Sequence, residues 1–241
     1  MSNVHNMVMF SLVMSMIGTM IGAFIGVQTG TKTSSKKFLG YVTAIACGIM
    51  ISISIFELIP EAYKDLGGIN TLIFLLFGMG VIYIGNKIAE SFNGNKHKRV
   101  AFMVGLSLAL HNFPEGLVVG LGFASGATLA LKMSIIIMLH DIPEGVAVAS
   151  PLKFSDESNW KIYFYALVTG LPAVLGTLIG LRVGSISPMI LAISLALAGG
   201  VMMYVSLGQM YFEAKEACGG KYSFLYTLVG IGIGLFMVLA F

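Results

Sequence analysis

A chain of 241 residues in which 57% are hydrophobic, only 10% are charged and the mean hydropathy is +0.91 has the composition of an integral membrane protein. At about 20 apolar residues per helical span the length is used up by roughly eight spans and short connections, which excludes a separate soluble domain. The net charge of +3 follows from cations placed in particular loops and excludes a nucleic-acid surface.

The chain opens on MSNVHNMVMF, which lacks the positively charged start of a signal peptide, so the first apolar run, 7–27, is expected to be a retained helix. Gly18, Gly22 and Gly26 line one ridge of it, a small-xxx-small pattern suited to close helix packing. Further runs follow at 38–60, 69–88, 100–123, 128–150, 162–181, 186–210 and 222–241. They are separated by the polar breaks TKTSSKK, EAYKDLGG, NGNKHKR, ASGA, PLKFSDESNWK, RVGSIS and EAKEACGGK. The expected architecture is all-α, with eight transmembrane helices in one domain, 1–241. Cys47 falls in a span and Cys218 in a polar break, so no disulfide framework is indicated. Trp160 reads as an interface anchor, and His5 and His97 as solvated.

Orientation follows from the cations. Lys32, Lys36 and Lys37 sit in the first break, and Lys87, Lys96, Lys98 and Arg99 around the third, whereas the even-numbered breaks have only Lys64, Lys132 at the start of the fifth run, and Arg182. The odd-numbered loops are therefore expected in the cytoplasm, with both termini outside.

Two internal echoes stand out. The unit His-x-x-Pro-Glu-Gly occurs at 111–116 (HNFPEG) and again at 140–145 (HDIPEG), and CGIMISISIFELIPEA at 47–62 resembles GGVMMYVSLGQMYFEA at 199–214. The second echo aligns Met50 with Met202, Ser54 with Ser206 and Glu57 with Gln209. A pseudo-symmetric repeat around a midplane site is a recurring transporter plan.

In a helix, residues four apart share a face, so His111 lies above Glu115 and His140 above Glu144, with Asn112 and Asp141 on the flanks. Pro114 and Pro143 deprive the carbonyls of Leu110 and Leu139 of their usual donors. An ionised carboxylate at the centre of a membrane helix costs roughly 2.5–3.5 kcal/mol even on insertion scales. Glu115, Asp141 and Glu144 therefore need cations, and no lysine or arginine falls near the middle of any run. One or two divalent ions nearly neutralise three carboxylates, and imidazole with carboxylate suits zinc and its first-row neighbours better than calcium or magnesium. A central metal site between the fourth and fifth helices is expected.

HNFPEG followed by HDIPEG, in the fourth and fifth of eight spans, resembles the ZIP (Zrt-, Irt-like) family of divalent-metal transporters, prokaryotic type. The resemblance implies uptake of zinc, or of iron, manganese or cadmium, into the cytoplasm by alternating access, with an elevator-like movement of a four-helix unit. It further implies a homodimer in the cell inner membrane, transported metal and lipid as the only partners, and no cofactor or nucleic acid. By position, His111, His140, Glu115 and Glu144 match the primary metal site, and Asn112 and Asp141 match partners of a second ion bridged by the glutamates. Met50 matches a soft flanking ligand and Glu57 an acidic position further along the second span. Ala173 stands where relatives often carry glutamate and Gln209 where they often carry an acid, which weakens the second ion position, and the third loop holds His97 alone among histidines. The competing class is an intramembrane zinc-dependent hydrolase. Its commonest signature, H-E-x-x-H, is missing, because each motif helix carries one histidine and an acid four residues on. No G-x-x-x-x-G-K-[ST] phosphate loop is present to power a pump.

Overall fold

The computed structural model describes residues 2–29, 33–90, 102, 105–106, 108–109, 112–113, 115–117, 119–120, 122–123, 127–154, 156–183 and 188–240. Among them every regular element is helical: Ser2–Thr29, Thr33–Ile53, Ile59–Glu90, Ala127–Phe154, Asn159–Val183, Pro188–Val205, Tyr211–Cys218 and Gly220–Ala240, with π-helical turns at Ser54–Leu58 and Ser206–Met210. The described residues between Phe102 and Phe123 are helical as well. Among the described residues four stretches are long and apolar enough to cross a bilayer, Lys36–Ile88, Asn159–Arg182, Pro188–Cys218 and Gly220–Ala240. The chain is thus a multi-pass membrane protein.

The stretch Lys36–Ile88 has 53 residues, and one straight helix of that length would measure about 80 Å, far beyond a hydrocarbon core of about 30 Å. It is divided at Gly67, whose φ of 69° and ψ of 171° separate two helices. Gly219, with φ 90° and ψ 151°, divides Tyr211–Cys218 from Gly220–Ala240 in the same way. Both are conformations that side chains rarely adopt, which places glycine at each. The polar strings EAYKDL and EAKEAC, read from hydropathy as breaks, are instead the last turns of helices that end at these glycines. The breaks TKTSSKK and PLKFSDESNWK are also partly helical, from Thr33 and up to Phe154. NGNKHKR, the first three residues of ASGA and the last four of RVGSIS lie outside the described residues.

The echo between 47–62 and 199–214 is structural. Ile59 N–H bonds back five residues to the Ser54 carbonyl, and Tyr211 N–H does the same to Ser206. Each serine hydroxyl also donates to the carbonyl four residues earlier, Ser54 to Met50 at 2.8 Å and Ser206 to Met202 at 2.7 Å. The register shift that carries Ser54 to Ser206 also carries Gly67 to Gly219, Gly48 to Gly200 and Gly78 to Gly230. A Cβ on Gly48 would strike the Thr227 carbonyl and one on Gly200 the Leu75 carbonyl, while Gly230 meets the Ile45 carbonyl and Gly78 the Leu197 carbonyl. The four glycines form two equivalent helix crossings, Thr33–Ile53 on Gly220–Ala240 and Pro188–Val205 on Ile59–Glu90. The Cys47 thiol joins the two copies by donating to the Ser206 carbonyl at 3.2 Å.

A second set of crossings surrounds the motif helices. The first helix packs on Ala127–Phe154 and on Asn159–Val183. A Cβ on Gly22 would strike the Ile142 carbonyl and one on Gly145 the Thr19 carbonyl. In the counterpart crossing Gly176 meets the Phe113 carbonyl and Gly116 the Ala173 carbonyl. The Gly18–Gly22–Gly26 ridge is therefore a packing surface, as its spacing indicates, and the glycine that closes each motif, 116 or 145, sits at a backbone contact.

Gly145→Ala is expected to push the first helix away from Ala127–Phe154, costing about 1–3 kcal/mol as overpacking does, and to lower the melting temperature of the purified protein in detergent. Gly80→Ala, where nothing lies within 4 Å of the added atom, is expected to leave it unchanged or slightly raised. Equal melting temperatures for the two variants would contradict this packing.

Candidate metal centre

Ala127–Phe154 stays helical through Pro143 and carries His140, Asp141 and Glu144, all almost fully buried. Across from it the fourth helical segment presents Asn112 and Glu115, at 2% and 6% exposure. Two glycine-mediated crossings pull the motif helices onto their neighbours, so these polar groups meet in a space closed off from lipid and water alike.

His140 Nε2 lies 3.2 Å from Glu115 Oε2 and 3.6 Å from Asp141 Oδ1. One donor atom from each of Glu115, His140 and Asp141 falls within 4.8 Å of the others. Glu144, 1% exposed, lies on the same helix one turn beyond His140. Asn112 Oδ1 and Asp141 Oδ1 are buried oxygens with no hydrogen-bond partner among the described residues. Buried acceptors in that condition are costly, and they are suited to an ion. The described lysine ion pairs, Lys64 with Glu61 and Lys161 with Glu157, lie outside the cluster.

The sequence pairs Asp141 with Asn112 as partners of a second ion bridged by the two glutamates, and in the structure Asp141 shares one group of donor atoms with Glu115 and His140. His111 and Pro114 lie outside the described residues. Met50 is buried, at 1% exposure, in the hydrophobic core to which most of the described helices contribute. Glu57 sits in the first π-turn, half-buried, within Coulombic reach of His140 and Glu115. Its counterpart Gln209 sits in the second π-turn and donates to Asn86 Oδ1 at 2.9 Å. Ala173 lines a cavity of about 10 Å³ together with Ser15, Gly116 and Thr177. Two polar residues that the motifs do not announce also touch the cluster: Ser15 donates to Asp141 Oδ2 at 2.9 Å, and the Thr169 carbonyl accepts from Asn112 Nδ2 at 3.0 Å.

A buried carboxylate and imidazole cluster held between apolar helices belongs to a metal-handling membrane protein. The family profile described as ZIP Zinc transporter matches residues 84–240, more than half of the chain. The chain is 31% identical over 217 residues to the zinc transporter ZupT of Corynebacterium aurimucosum, covering 80% of this chain and 82% of that one. It is 29% identical over 228 residues to ZupT of Chlorobium limicola, with 83% and 85% covered, and 32% identical over 223 residues to ZupT of Salmonella paratyphi A, with 85% and 86% covered. The chain belongs to the ZIP zinc-transporter family. These relatives give the hydrolase reading no support.

Glu57→Gln removes a half-buried carboxylate from the first π-turn and is expected to weaken zinc binding several-fold at low ionic strength and less at high. Calorimetric titration at two salt concentrations checks it, and an affinity that ignores the substitution at both would remove Glu57 from the site.

Proposed function

We propose that this chain takes zinc, and also iron, manganese or cadmium, across the cell inner membrane into the cytoplasm by alternating access. The observation that carries the reading is the set of buried donor atoms from Glu115, His140 and Asp141 within 4.8 Å of one another. The names of the relatives supply the ion. His111, His140, Glu115 and Glu144 are proposed as the ligands of the transported ion, Met50 as a soft flanking group, and Asn112 and Asp141 as partners of a second, weaker ion. Zinc is cargo here, so its ligands must bind and release, which favours a mixed nitrogen and oxygen set over the closed thiolate sites that hold structural zinc.

Eight spans in a single domain, 1–241, both termini outside and a homodimeric assembly complete the proposal; the cations of the first and third loops support the orientation. Alternating access is supported by the way the helices group. Ser2–Thr29, Ala127–Phe154 and Asn159–Val183 pack on one another, the two repeat units pack on one another, and the crossing of Thr33–Ile53 with Ala127–Phe154 is a smaller surface between the groups. A relative shift of the two groups exposes the cluster to one side at a time.

Glu115→Ala and Glu144→Ala are each expected to abolish zinc uptake into proteoliposomes while the protein still inserts and purifies, and near-normal transport by both would overturn the assignment. Counterflow of zinc in the same liposomes, set against turnover of a peptide or lipid amide, separates carrier from hydrolase.

Metal ligands must be deprotonated to bind, so protons and zinc compete. Binding is expected to weaken as pH falls from about 7.5 to about 5.5, the range in which free imidazole gains its proton. A flat affinity across that range would mean either that the ligands are not these groups or that they titrate well below it, and both outcomes remove the exchange of metal for protons.

A further inference from the structure

We propose that Ser15, in the first helix, is a positioning residue of the metal centre: its hydroxyl holds Asp141 so that one carboxylate oxygen is presented to the ion. The inference rests on the reading of the cluster as a metal site. Ser15 Oγ donates to Asp141 Oδ2 at 2.9 Å, and both residues are buried, at 8% and 0% exposure. The other oxygen, Oδ1, has no hydrogen-bond partner among the described residues and lies 3.6 Å from His140 Nε2. A serine hydroxyl has one hydrogen to give. Spent on Oδ2, it ties down the outer oxygen and leaves Oδ1 as an acceptor facing His140 and Glu115.

The same device recurs on the other motif. Asn112 Nδ2 donates to the Thr169 carbonyl at 3.0 Å. A carbonyl only accepts, so the amide nitrogen must point outward, and Asn112 Oδ1 is left without a partner among the described residues. The register shift that carries Gly22 to Gly176 carries Ser15 to Thr169, and the one that carries Gly116 to Gly145 carries Asn112 to Asp141. Each flanking residue is therefore gripped on its outer atom by the equivalent position of the equivalent helix. In one copy the grip comes from a side chain and in the other from the backbone, so only Ser15 is open to removal by substitution.

The glycine ridge explains how Ser15 reaches its partner. Ser15, Gly18 and Gly22 lie on one face of the first helix, and a Cβ on Gly18 would strike the Met138 carbonyl. Backbone approach at the glycines brings the hydroxyl of a short side chain to Asp141. Most other hydroxyls in the described helices are spent on their own backbone, as at Ser150 and Ser194.

Partners that orient metal ligands typically contribute about 10- to 100-fold in affinity. The test is calorimetric zinc binding by the purified full-length protein, with the variants Ser15→Ala, Ser15→Thr, Asp141→Asn and the double variant Ser15→Ala/Asp141→Asn. Ser15→Ala is expected to weaken binding by about tenfold or more. Ser15→Thr is expected to bind more tightly than Ser15→Ala, because the hydroxyl is kept. The double variant is expected to bind like Asp141→Asn alone, since Ser15 acts only through Asp141. Wild-type affinity for Ser15→Ala, a Ser15→Thr as weak as Ser15→Ala, or full additivity in the double variant would each overturn the inference. His140→Ala separates the two levels: if it binds zinc normally the metal reading itself fails, and if it loses zinc while Ser15→Ala does not, only the role of Ser15 fails.

Discussion

Carboxylates and imidazole with almost no access to water, enclosed by helices made for hydrocarbon, set the terms for everything around them. Glu115, His140, Asp141 and Glu144 are each at most 6% exposed. Anions in such surroundings persist only when an opposite charge and hydrogen bonds replace the lost hydration. A transported cation meets that need intermittently, so the protein must keep the groups assembled when the ion has left. Contacts among the groups themselves, His140 with Glu115 and with Asp141, supply part of that holding. The hydroxyl of Ser15 and the carbonyl of Thr169 supply more from outside the cluster.

The scaffold meets this demand twice, because it is built twice. Paired π-turns, paired positive-φ glycines and paired glycine-on-carbonyl crossings relate the second and third spans to the last two. Equivalent crossings relate the two motif helices to the first helix and to Asn159–Val183. π-turns insert an extra residue into a helix and turn the following side chains, and here they fall at Glu57 and Gln209. The copies then diverge in chemistry: the first π-turn carries the carboxylate of Glu57, while the second carries Gln209, whose amide is tied to Asn86. The repeat is thus symmetric in its backbone and asymmetric in the side chains that the two π-turns carry.

The site was legible because its signal is periodic. A histidine and a glutamate four residues apart must share a helix face whatever the tertiary packing, and the repeat of the motif identified two such faces. The repeat of 47–62 in 199–214 was legible from identity alone, down to the serines that begin each π-turn, although the turns themselves leave no periodic trace. Helix ends were read wrongly at EAYKDL and EAKEAC because charged residues lower hydropathy equally in a loop and in a helical turn at the membrane surface. The true boundary is conformational and falls at Gly67 and Gly219. Ser15 was invisible for a different reason. A lone serine in an apolar span ordinarily bonds its own backbone, as Ser150 does, and only the crossing of the first helix with Ala127–Phe154 distinguishes it.

The central claim is that a divalent ion is held by imidazole and carboxylate from the two motif helices. X-ray absorption at the zinc edge, on purified protein loaded with a single equivalent, tests it most directly. The account predicts a shell of nitrogen and oxygen neighbours at about 2.0–2.2 Å with the outer scattering of imidazole. A shell dominated by thiolate sulfur at about 2.3 Å, which would implicate Cys47 or Cys218, or a shell lacking imidazole scattering, would contradict it.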